Sequence, residues 1–269
     1  MVRHRPPSNG GGEWFSPAVP RILAHRGFAL DVPENTLAAF EAALGLGVLY
    51  IETDIHVSKD GIAMVAHDPS LIRVAGVDSA VCDLTTEELQ TIDLGGGHRM
   101  PTLLDALVAF PLARFNIDVK SPGAGAAVAS AVLEAEATER VLITSFSSRR
   151  RREAIDLLPR VASSASAARF VLILALAKLG LLAFVPPLVG GVDAVQVPPH
   201  YGRLAIATAQ VIRALHRRGI EMHIWTVNDP QKMHRLLMLG VDGIVTDRPD
   251  LALELLRRIR PPHEAQPLG

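Results

Sequence analysis

Short apolar runs alternate along the chain with longer stretches in which apolar residues recur at helical spacing. The first pair is residues 21–25, an apolar run that ends before Gly27, and residues 35–46, where apolar residues lie three or four positions apart. Further strands are predicted at residues 49–57, 114–119, 141–145, 161–164, 194–197, 222–227 and 243–246. Further helices are predicted at residues 103–110, 125–137, 149–157, 167–183, 208–217, 231–239 and 250–259.

This alternation predicts eight strands, each followed by a helix, within a chain of 269 residues. That number of strand–helix units and a length of about 250 residues are typical of a (β/α)₈ barrel. We therefore expect an α/β protein with the TIM-barrel fold in a single domain. Asp60 and Gly61 lie between two apolar runs and predict a turn that extends the second strand.

Composition limits how the core is built and where the folded body ends. Hydrophobic residues make up 49% of the chain but aromatic residues only 4%, so the core must consist mainly of Ala, Val, Leu and Ile. Residues 1–20 contain three consecutive glycines and four prolines, and residues 261–269 are polar and rich in proline. We expect flexible tails at 1–20 and 261–269 and a folded body at 21–260.

Charge and cysteine content exclude several classes of function. The chain has 27 basic and 28 acidic residues, and this formal net charge of −1 gives no overall field to attract nucleic acid. The one cysteine, Cys82, excludes an intramolecular disulfide framework and a zinc site built from several thiolates. Residues 1–20 hold no apolar stretch like the core of a signal peptide. We expect a cytoplasmic protein without a nucleic-acid partner.

A strongly apolar segment at residues 170–188 approaches the ~20 residues that a membrane-spanning helix needs. Lys178 in its middle, Gly180, and the pair Pro186 and Pro187 argue against a span. We expect a helix that is buried on the barrel or lies at an interface, with a membrane span as the alternative.

Ionisable side chains collect where the predicted strands end, and in a parallel barrel these ends form the active face. They are His25, Arg26, Glu52, Asp54, His56, His67, Asp68, Asp118 and Lys120. Period-two spacing places Glu52 and Asp54 on one face of the second strand, and Asp118 and Lys120 on one face of the third. Carboxylates suit Mg²⁺ or Ca²⁺. The sequence therefore predicts one divalent-cation site formed by Glu52, Asp54 and Asp118.

Phosphate is the substrate group that such a site favours, because a divalent cation beside Arg26 and Lys120 can neutralise a phosphoryl group. Two histidines can then serve as general base and general acid. Taken singly, an acid in an apolar strand usually pairs with a buried cation, and a strand histidine usually packs in the core. Several ionisable groups that converge on one mouth carry a desolvation cost that a purely structural barrel does not require.

The same residues belong to short motifs that occur in the order of a known enzyme family. They read HRG at 25–27, PENT at 33–36, ETD at 52–54, KDG at 59–61 and HD at 67–68. The likeness continues with PTLLDAL at 101–107, NIDVK at 116–120, SF at 145–146, WTVN at 225–228 and GIVTDRP at 243–249. Over about residues 23–250 the chain resembles the glycerophosphodiester phosphodiesterase family.

The resemblance implies a barrel that cleaves a small-molecule phosphodiester to sn-glycerol 3-phosphate and an alcohol. By the same resemblance Glu52 and Asp54 are metal ligands, and His25 and His67 are the acid–base pair. His67 would protonate the leaving oxygen, and His25 would activate the nucleophile. The nucleophile is either water or the glycerol 2-hydroxyl, and the sequence leaves both open.

The resemblance also implies substrate contacts and one departure from the family pattern. Arg26 and Lys120 would hold the phosphate, and Trp225 would stack on the glycerol or wall the pocket, with barrel packing as the alternative. Asp118 stands where the family generally has Glu, so its carboxylate lies about one methylene further back. We expect it to bind the cation directly or through a water.

Two other functions are alternatives at this point. One is a lysophospholipase D or sphingomyelinase-like phospholipase, on the hypothesis that residues 170–188 and the basic run 149–152 contact a membrane surface. A solvated helix face is the simpler interpretation of that basic run. The other is a barrel that binds phosphodiesters as a sensor, although a binder needs neither His25 nor His67.

Overall fold

The computed structural model describes residues 12–184, 191–202 and 204–259. Eleven strands are present in these ranges. They are β1 Arg21–His25, β2 Tyr50–Val57, β3 Ala63–Val65, β4 Arg114–Val119, β5 Val141–Thr144, β6 Ala162–Ser163, β7 Ala194–Val197, β8 His200–Tyr201, β9 Leu204–Ala205, β10 Glu221–Ile224 and β11 Gly243–Thr246.

Eight of these strands form a parallel sheet in the order β6-β5-β4-β2-β1-β11-β10-β7. Its two outer strands meet through a single bridge between Ser164 and Ala194, which closes the sheet into a barrel. β3 pairs with β2 as an antiparallel hairpin, and β8 pairs with β9 as a second one. The predicted single-domain TIM barrel is confirmed, and each of its eight strands lies where an apolar run predicts one.

Helices follow the strands and cover the outside of the barrel. They are α1 Gly12–Phe15, α2 Leu37–Gly45, α3 Ile72–Ala75, α4 Thr86–Thr91, α5 Leu103–Ala109, α6 Ala124–Glu134, α7 Ser148–Ile155, α8 Ala167–Lys178, α9 Ala209–His216, α10 Pro230–Leu239 and α11 Pro249–Ile259, with 3₁₀ turns at Val81–Asp83, Thr138–Arg140 and Leu182–Phe184. Several begin at a hydroxyl or carboxylate cap: Thr36 accepts from Ala39 N, and Thr102 forms a capping box with Asp105.

The apolar core lies between the barrel and its helices in two large clusters. One joins β2, β4 and β5 to α2, α5 and α6, and it includes Phe40 and Phe115. The other joins β7 and β10 to α8, α9 and α10. Both are composed mainly of Ala, Val, Leu and Ile, as the composition predicts.

The start of the described chain closes the amino-terminal end of the barrel. Trp14 is fully buried, and its ring centroid lies 4.8 Å from that of Tyr50, whose hydroxyl donates to Trp14 O over 2.7 Å. The Arg21 guanidinium donates to Pro17 O. The prediction of a flexible tail at 1–20 is therefore wrong for residues 12–20, because a large aromatic side chain anchors them. Residues 1–11 and 260–269, and with them the predicted tail at 261–269, lie outside the described residues.

The apolar segment 170–188 contributes a short helix. α8 ends at Lys178, and Gly180 follows with a φ of 72°, which turns the chain away from the helix axis. Its inner face buries Ile173, Leu174 and Ala177 against α9 and neighbouring elements. Across residues 12–184, 191–202 and 204–259, no helix has the length and hydropathy needed to cross a bilayer. The predicted Pro186 and Pro187 break lies outside the described residues.

Candidate active site

The loop after β1 is forced into an unusual path by its contact with α2. Arg26 and Gly27 both have positive φ, 58° and 87°. A Cβ on Gly27 would lie 2.6 Å from the backbone carbon of Ala39, so only glycine fits there. Arg26 N donates to Glu52 O over 2.9 Å, which fixes this turn against the next strand. The turn places His25 and Arg26 side by side at the rim.

His25 is oriented by an acid from the opposite end of the sequence. Its Nδ1 donates to Asp247 Oδ1 over 2.6 Å, and Asn228 Nδ2 donates to Asp247 Oδ2 over 2.6 Å. Its other nitrogen, Nε2, lies 3.9 Å from Glu52 Oε2. Burial disfavours the charged ring, but the Asp247 hydrogen bond and the Glu52 charge outweigh burial and raise the pKa of His25.

His67 has a similar arrangement with its neighbour in sequence. Its Nδ1 donates to Asp68 Oδ1 over 2.6 Å, and the Arg73 guanidinium also donates to Asp68. Although burial opposes it, the hydrogen bonds from Arg73 and His67 lower the pKa of Asp68, which keeps this carboxylate ionised. His56 Nε2 donates to His67 O over 3.1 Å. His56 thus supports the backbone of His67.

Three carboxylates lie buried between the histidines. Glu52, Asp54 and Asp118 are at most 7% exposed, and the register pairs Asp54 directly with Asp118 across β2 and β4. Lys120 Nζ lies between these two, 2.9 Å from Asp54 Oδ1 and 2.7 Å from Asp118 Oδ2. In the described part of the chain, Glu52 Oε2 and Asp118 Oδ1 have no hydrogen-bond partner.

This concentration of negative charge perturbs the acids strongly. Burial, and after it the negative charge of Asp54, raises the pKa of Glu52 to about 8. Burial also raises the pKa of Asp118, against the opposing charge of Lys120. Although burial opposes its charge, Asp54 and Asp118 raise the pKa of Lys120. The site therefore carries more negative charge than the positively charged side chains around it fully neutralise.

Arg26 is held by two acids. Its Nη1 donates to Glu34 Oε1 over 2.9 Å, and its Nε lies 3.2 Å from Asp54 Oδ2. Asn35, with a φ of 57°, donates from Nδ2 to Asp54 Oδ2 over 3.3 Å. The PENT residues therefore do more than begin α2, because Glu34 and Asn35 orient the groups at the mouth.

Two aromatic rings border the mouth on its far side. Trp225 packs edge-to-face on Phe146 with centroids 5.9 Å apart, and Lys120 Nζ lies 5.9 Å from the Phe146 centroid. Phe146 is 57% exposed, whereas Trp225 is half-buried and also packs on the barrel core. Both interpretations of Trp225, pocket wall and barrel packing, are compatible with this position.

The carboxylate oxygens of the site are suitable ligands for a hard divalent cation, but their arrangement also includes the Lys120 ammonium group. In residues 12–184, 191–202 and 204–259, no three His, Cys, Asp or Glu side chains form a ready-made metal cluster. Lys120 occupies the space between Asp54 and Asp118. The unpartnered oxygens of Glu52 and Asp118, both in a buried and strongly acidic setting, are nevertheless what an oxygen-seeking cation requires.

The structure brings all eight predicted site residues to the carboxyl-terminal end of the barrel, and it adds contacts from residues that the sequence did not assign to the site. The additional residues are Asp247, Asp68, Asn228, Glu34 and Phe146. Asp247 and Phe146 lie within motifs that carry the family resemblance, so the sequence indicated these segments but not the individual residues. The contacts of Asp247 and Phe146 join residues far apart in the sequence and have no local signal, whereas Asp68 contacts its neighbour His67.

Comparison with known proteins gives the class and the family. A family model described as the glycerophosphoryl diester phosphodiesterase family matches residues 25–251. The protein is a phosphoric diester hydrolase by class. The chain belongs to the glycerophosphoryl diester phosphodiesterase family.

Relatives extend along most of the chain. It is 41% identical to "Probable glycerophosphodiester phosphodiesterase 2" of Mycobacterium tuberculosis, covering 87% of this chain and 89% of that protein. It is 30% identical to lysophospholipase D GDPD1 of Homo sapiens, covering 84% of this chain and 83% of that protein. The crystal structure of a glycerophosphodiester phosphodiesterase from Agrobacterium tumefaciens is 28% identical with a TM-score of 0.73, covering 88% of this chain and 98% of that one.

Proposed function

We propose that the protein hydrolyses glycerophosphodiesters to sn-glycerol 3-phosphate and an alcohol with the help of one divalent cation. The observation that carries this proposal is the convergence of three buried carboxylates and two carboxylate-oriented histidines at one end of the barrel. The name of the Mycobacterium tuberculosis relative supports the substrate class.

His25 and His67 are the proposed proton-transfer groups. In each ring Nδ1 donates to a carboxylate, which leaves Nε2 for the substrate. His25, with Nε2 beside Glu52, would take a proton from the nucleophile, whether that is water or the glycerol 2-hydroxyl. His67 would give a proton to the leaving alcohol oxygen. The paired acids Asp247 and Asp68 hold both rings in the required tautomer.

Glu52, Asp54 and Asp118 would hold the cation, either Mg²⁺ or Ca²⁺, through their carboxylate oxygens. When bound, the cation supplies positive charge that polarises the phosphoryl group. Asp118 would offer its Oδ1, which has no hydrogen-bond partner among the described residues, because its Oδ2 already accepts from Lys120.

Substrate contacts are proposed for the cations and aromatic rings at the rim. Arg26 and Lys120 would bind phosphoryl oxygens, since both contact the buried acids and both side chains are partly exposed. Trp225, with Phe146 against it, would form an apolar wall for the glycerol carbons.

A product assay tests the proposal. The full chain is incubated with glycerophosphocholine or glycerophosphoethanolamine in Mg²⁺, in Ca²⁺ or in excess chelator, and released glycerol 3-phosphate is measured. We expect release that stops with chelator and returns when either cation is restored. Release that is indifferent to chelation would exclude the cation. Binding without release of any product would favour the sensor alternative.

A membrane-facing activity on lysophospholipids is the second candidate, and one surface favours it. Lys178 Nζ donates to Ala205 O over 3.2 Å, which ties the end of α8 to the β8–β9 hairpin at the mouth. Large apolar side chains near this junction are exposed: Leu179, Leu181, Phe184, Tyr201 and Leu204. The human relative is named a lysophospholipase D. Such a surface suits shallow contact with a bilayer.

Liposome co-sedimentation separates the two candidates. Salt-dependent binding to anionic vesicles, together with turnover of lysophospholipid or sphingomyelin in preference to glycerophosphocholine, would favour the membrane enzyme. Absence of vesicle binding would leave the water-soluble substrates, and with them the cytoplasmic location that we propose. The exposed free thiol of Cys82 is compatible with that reducing compartment.

A further inference from the structure

The basic run 149–152 at the start of α7 divides into residues with different surroundings. Arg149 is 86% exposed and pairs with Glu153 over 3.1 Å. Arg151 is buried and donates to Ser163 and Gly191 O, so the interpretation of the whole run as a solvated face is wrong for this residue. Arg152 is exposed and donates to Ser148 O within its own helix. Each of these three has an evident structural setting.

Arg150 differs from its neighbours because it faces the mouth without an acidic partner. It is half-buried, and its Nε lies 3.4 Å from Ser145 Oγ. Ser145 directly follows β5 and donates to Val119 O over 2.7 Å, at the end of the strand that carries Asp118. Within residues 12–184, 191–202 and 204–259, no carboxylate lies within ion-pair distance of the Arg150 guanidinium.

The position of Arg150 in the helix adds to the cost of leaving it unpaired. It lies in the first turn of α7, where the helix dipole disfavours a cation and where no acidic residue is present. Its charge is close enough to Asp118 to oppose the burial-driven rise in the pKa of that acid. The Arg150 guanidinium is therefore available to an anion from outside the described protein.

The other two cations of the mouth are already engaged. Arg26 contacts Glu34 and Asp54, and Lys120 contacts Asp54 and Asp118. A phosphodiester that approaches these groups competes with protein carboxylates for their hydrogen bonds. Arg150 has no ion pair among the described residues, which makes it the better receptor for an anionic oxygen.

We infer that Arg150 is a substrate-binding residue that receives an anionic oxygen of the bound phosphodiester. This inference rests on the proposed function for the identity of the substrate. The oxygen belongs either to the scissile phosphate or to an acidic group on the alcohol that leaves. Both present the same charge-assisted hydrogen bond to a planar guanidinium.

The test compares Arg150→Gln with the matched control Arg149→Gln, which removes the same charge one residue away from an exposed position. Calorimetry measures binding of sn-glycerol 3-phosphate, and kinetics measure KM for glycerophosphocholine and for the carboxylate-bearing glycerophosphoserine. We expect Arg150→Gln to weaken the relevant binding by about tenfold to a hundredfold, as loss of a hydrogen bond between charged groups does. Arg150→Lys should restore part of the loss.

The pattern of results assigns the oxygen and can overturn the inference. Weaker glycerol 3-phosphate binding and a raised KM for both diesters point to the phosphate. A raised KM for glycerophosphoserine alone points to the leaving group. Equal behaviour of the two variants, with unchanged unfolding midpoints, would overturn the inference. A wild-type protein that binds glycerol 3-phosphate through Arg150 but turns over no diester would contradict the proposed function alone.

Discussion

A buried ionic group at the amino-terminal end of the barrel and the buried carboxylates at the mouth differ in how their hydrogen bonds are satisfied. At the amino-terminal end, Arg21 donates from Nε and Nη2 to the two carboxylate oxygens of Glu221 over 2.8 and 2.7 Å. Tyr50 Oη, Pro17 O and Phe15 O accept its other hydrogen bonds. His223 completes the group by donating to Glu221 over 2.9 Å. At the mouth, buried carboxylate oxygens of Glu52 and Asp118 lack such donors among the described residues.

This difference distinguishes a structural group of charges from the proposed functional one. A buried ion pair with every hydrogen bond satisfied can persist without any ligand. A cluster with unpartnered oxygens and a carboxylate whose pKa is raised to about 8 costs stability and is retained where a ligand or a reaction uses it. Substitutions at the two ends should therefore affect different measurements.

The largest effect is expected at the mouth, from His67→Ala. Loss of a general acid lowers kcat by about 10²–10⁴-fold. The free energy of unfolding should change little, because the His67 side chain is 33% exposed. Steady-state release of glycerol 3-phosphate and urea unfolding measure the two quantities.

The control is His234→Ala, which removes an exposed imidazole from α10 and should leave both quantities unchanged. Full turnover by the His67 variant would contradict its role as the acid.

The reverse outcome is expected at the amino-terminal end, from Glu221→Gln. Arg21 would then be left buried without its counter-charge, which costs about 3–5 kcal/mol of unfolding free energy. The kcat of the protein that remains folded should be close to that of the wild type. Urea unfolding followed by circular dichroism gives the first value, and active-site-normalised kinetics give the second.

A double variant, Arg21→Met with Glu221→Leu, tests whether the unpaired Arg21 charge causes this loss of stability. Replacing both charges by apolar groups removes the unpaired cation, so the double variant should be more stable than Glu221→Gln. Equal or lower stability would show that the hydrogen bonds to Tyr50 and His223 matter more than the ion pair.

Gln196 lies between the two ends of the barrel, and its substitution should cause a smaller loss of unfolding free energy. Gln196 Nε2 donates to Asn116 Oδ1 over 2.9 Å and lies 3.2 Å from His223 Nδ1, inside the barrel. Gln196→Leu leaves these groups without their partner and should cost about 1–3 kcal/mol. Thermal or urea unfolding against Gln231→Leu, at an exposed position, provides the comparison. A loss of kcat with unchanged stability would place Gln196 in the functional group instead.

The last prediction is a shift in the pH dependence of kcat/KM, caused by Asp247→Asn. The Asp247 hydrogen bond helps to raise the pKa of His25 against the effect of burial, so removal of this charge lowers that pKa. A general base acts in its neutral form, and the acidic limb of kcat/KM therefore moves to lower pH. An unmoved limb would mean that another group titrates there.

Most of the fold follows from local patterns in the sequence. The apolar runs locate all eight barrel strands, because burial on both faces of a parallel sheet leaves a continuous apolar signal. The exceptions are informative. Trp14 anchors residues that Gly and Pro content mark as a tail, and α8 ends at Lys178 although apolar residues continue. Tertiary contacts and a turn at Gly180 decide these two cases.

Only part of the candidate site could be predicted from the sequence. Period-two spacing places Glu52 with Asp54 and Asp118 with Lys120, since the rule is local. The partner of His25 lies 222 positions away and has no local signature. The sequence does contain a local signal in the arginine run 149–152. Consecutive residues of a helix point in different directions, so the four arginines cannot share one face. That rule already separates Arg150 from Arg151.

The closure of the barrel between β6 and β7 has a mechanical consequence. This seam consists of one bridge, from Ser164 to Ala194, whereas β2 and β4 pair over six residues. Counted around the sheet, β1 and β2 are the strands farthest from it in either direction. If the barrel opens at this seam, the pairing of β1 with β2, which carry His25 and Glu52, lies farthest from the break.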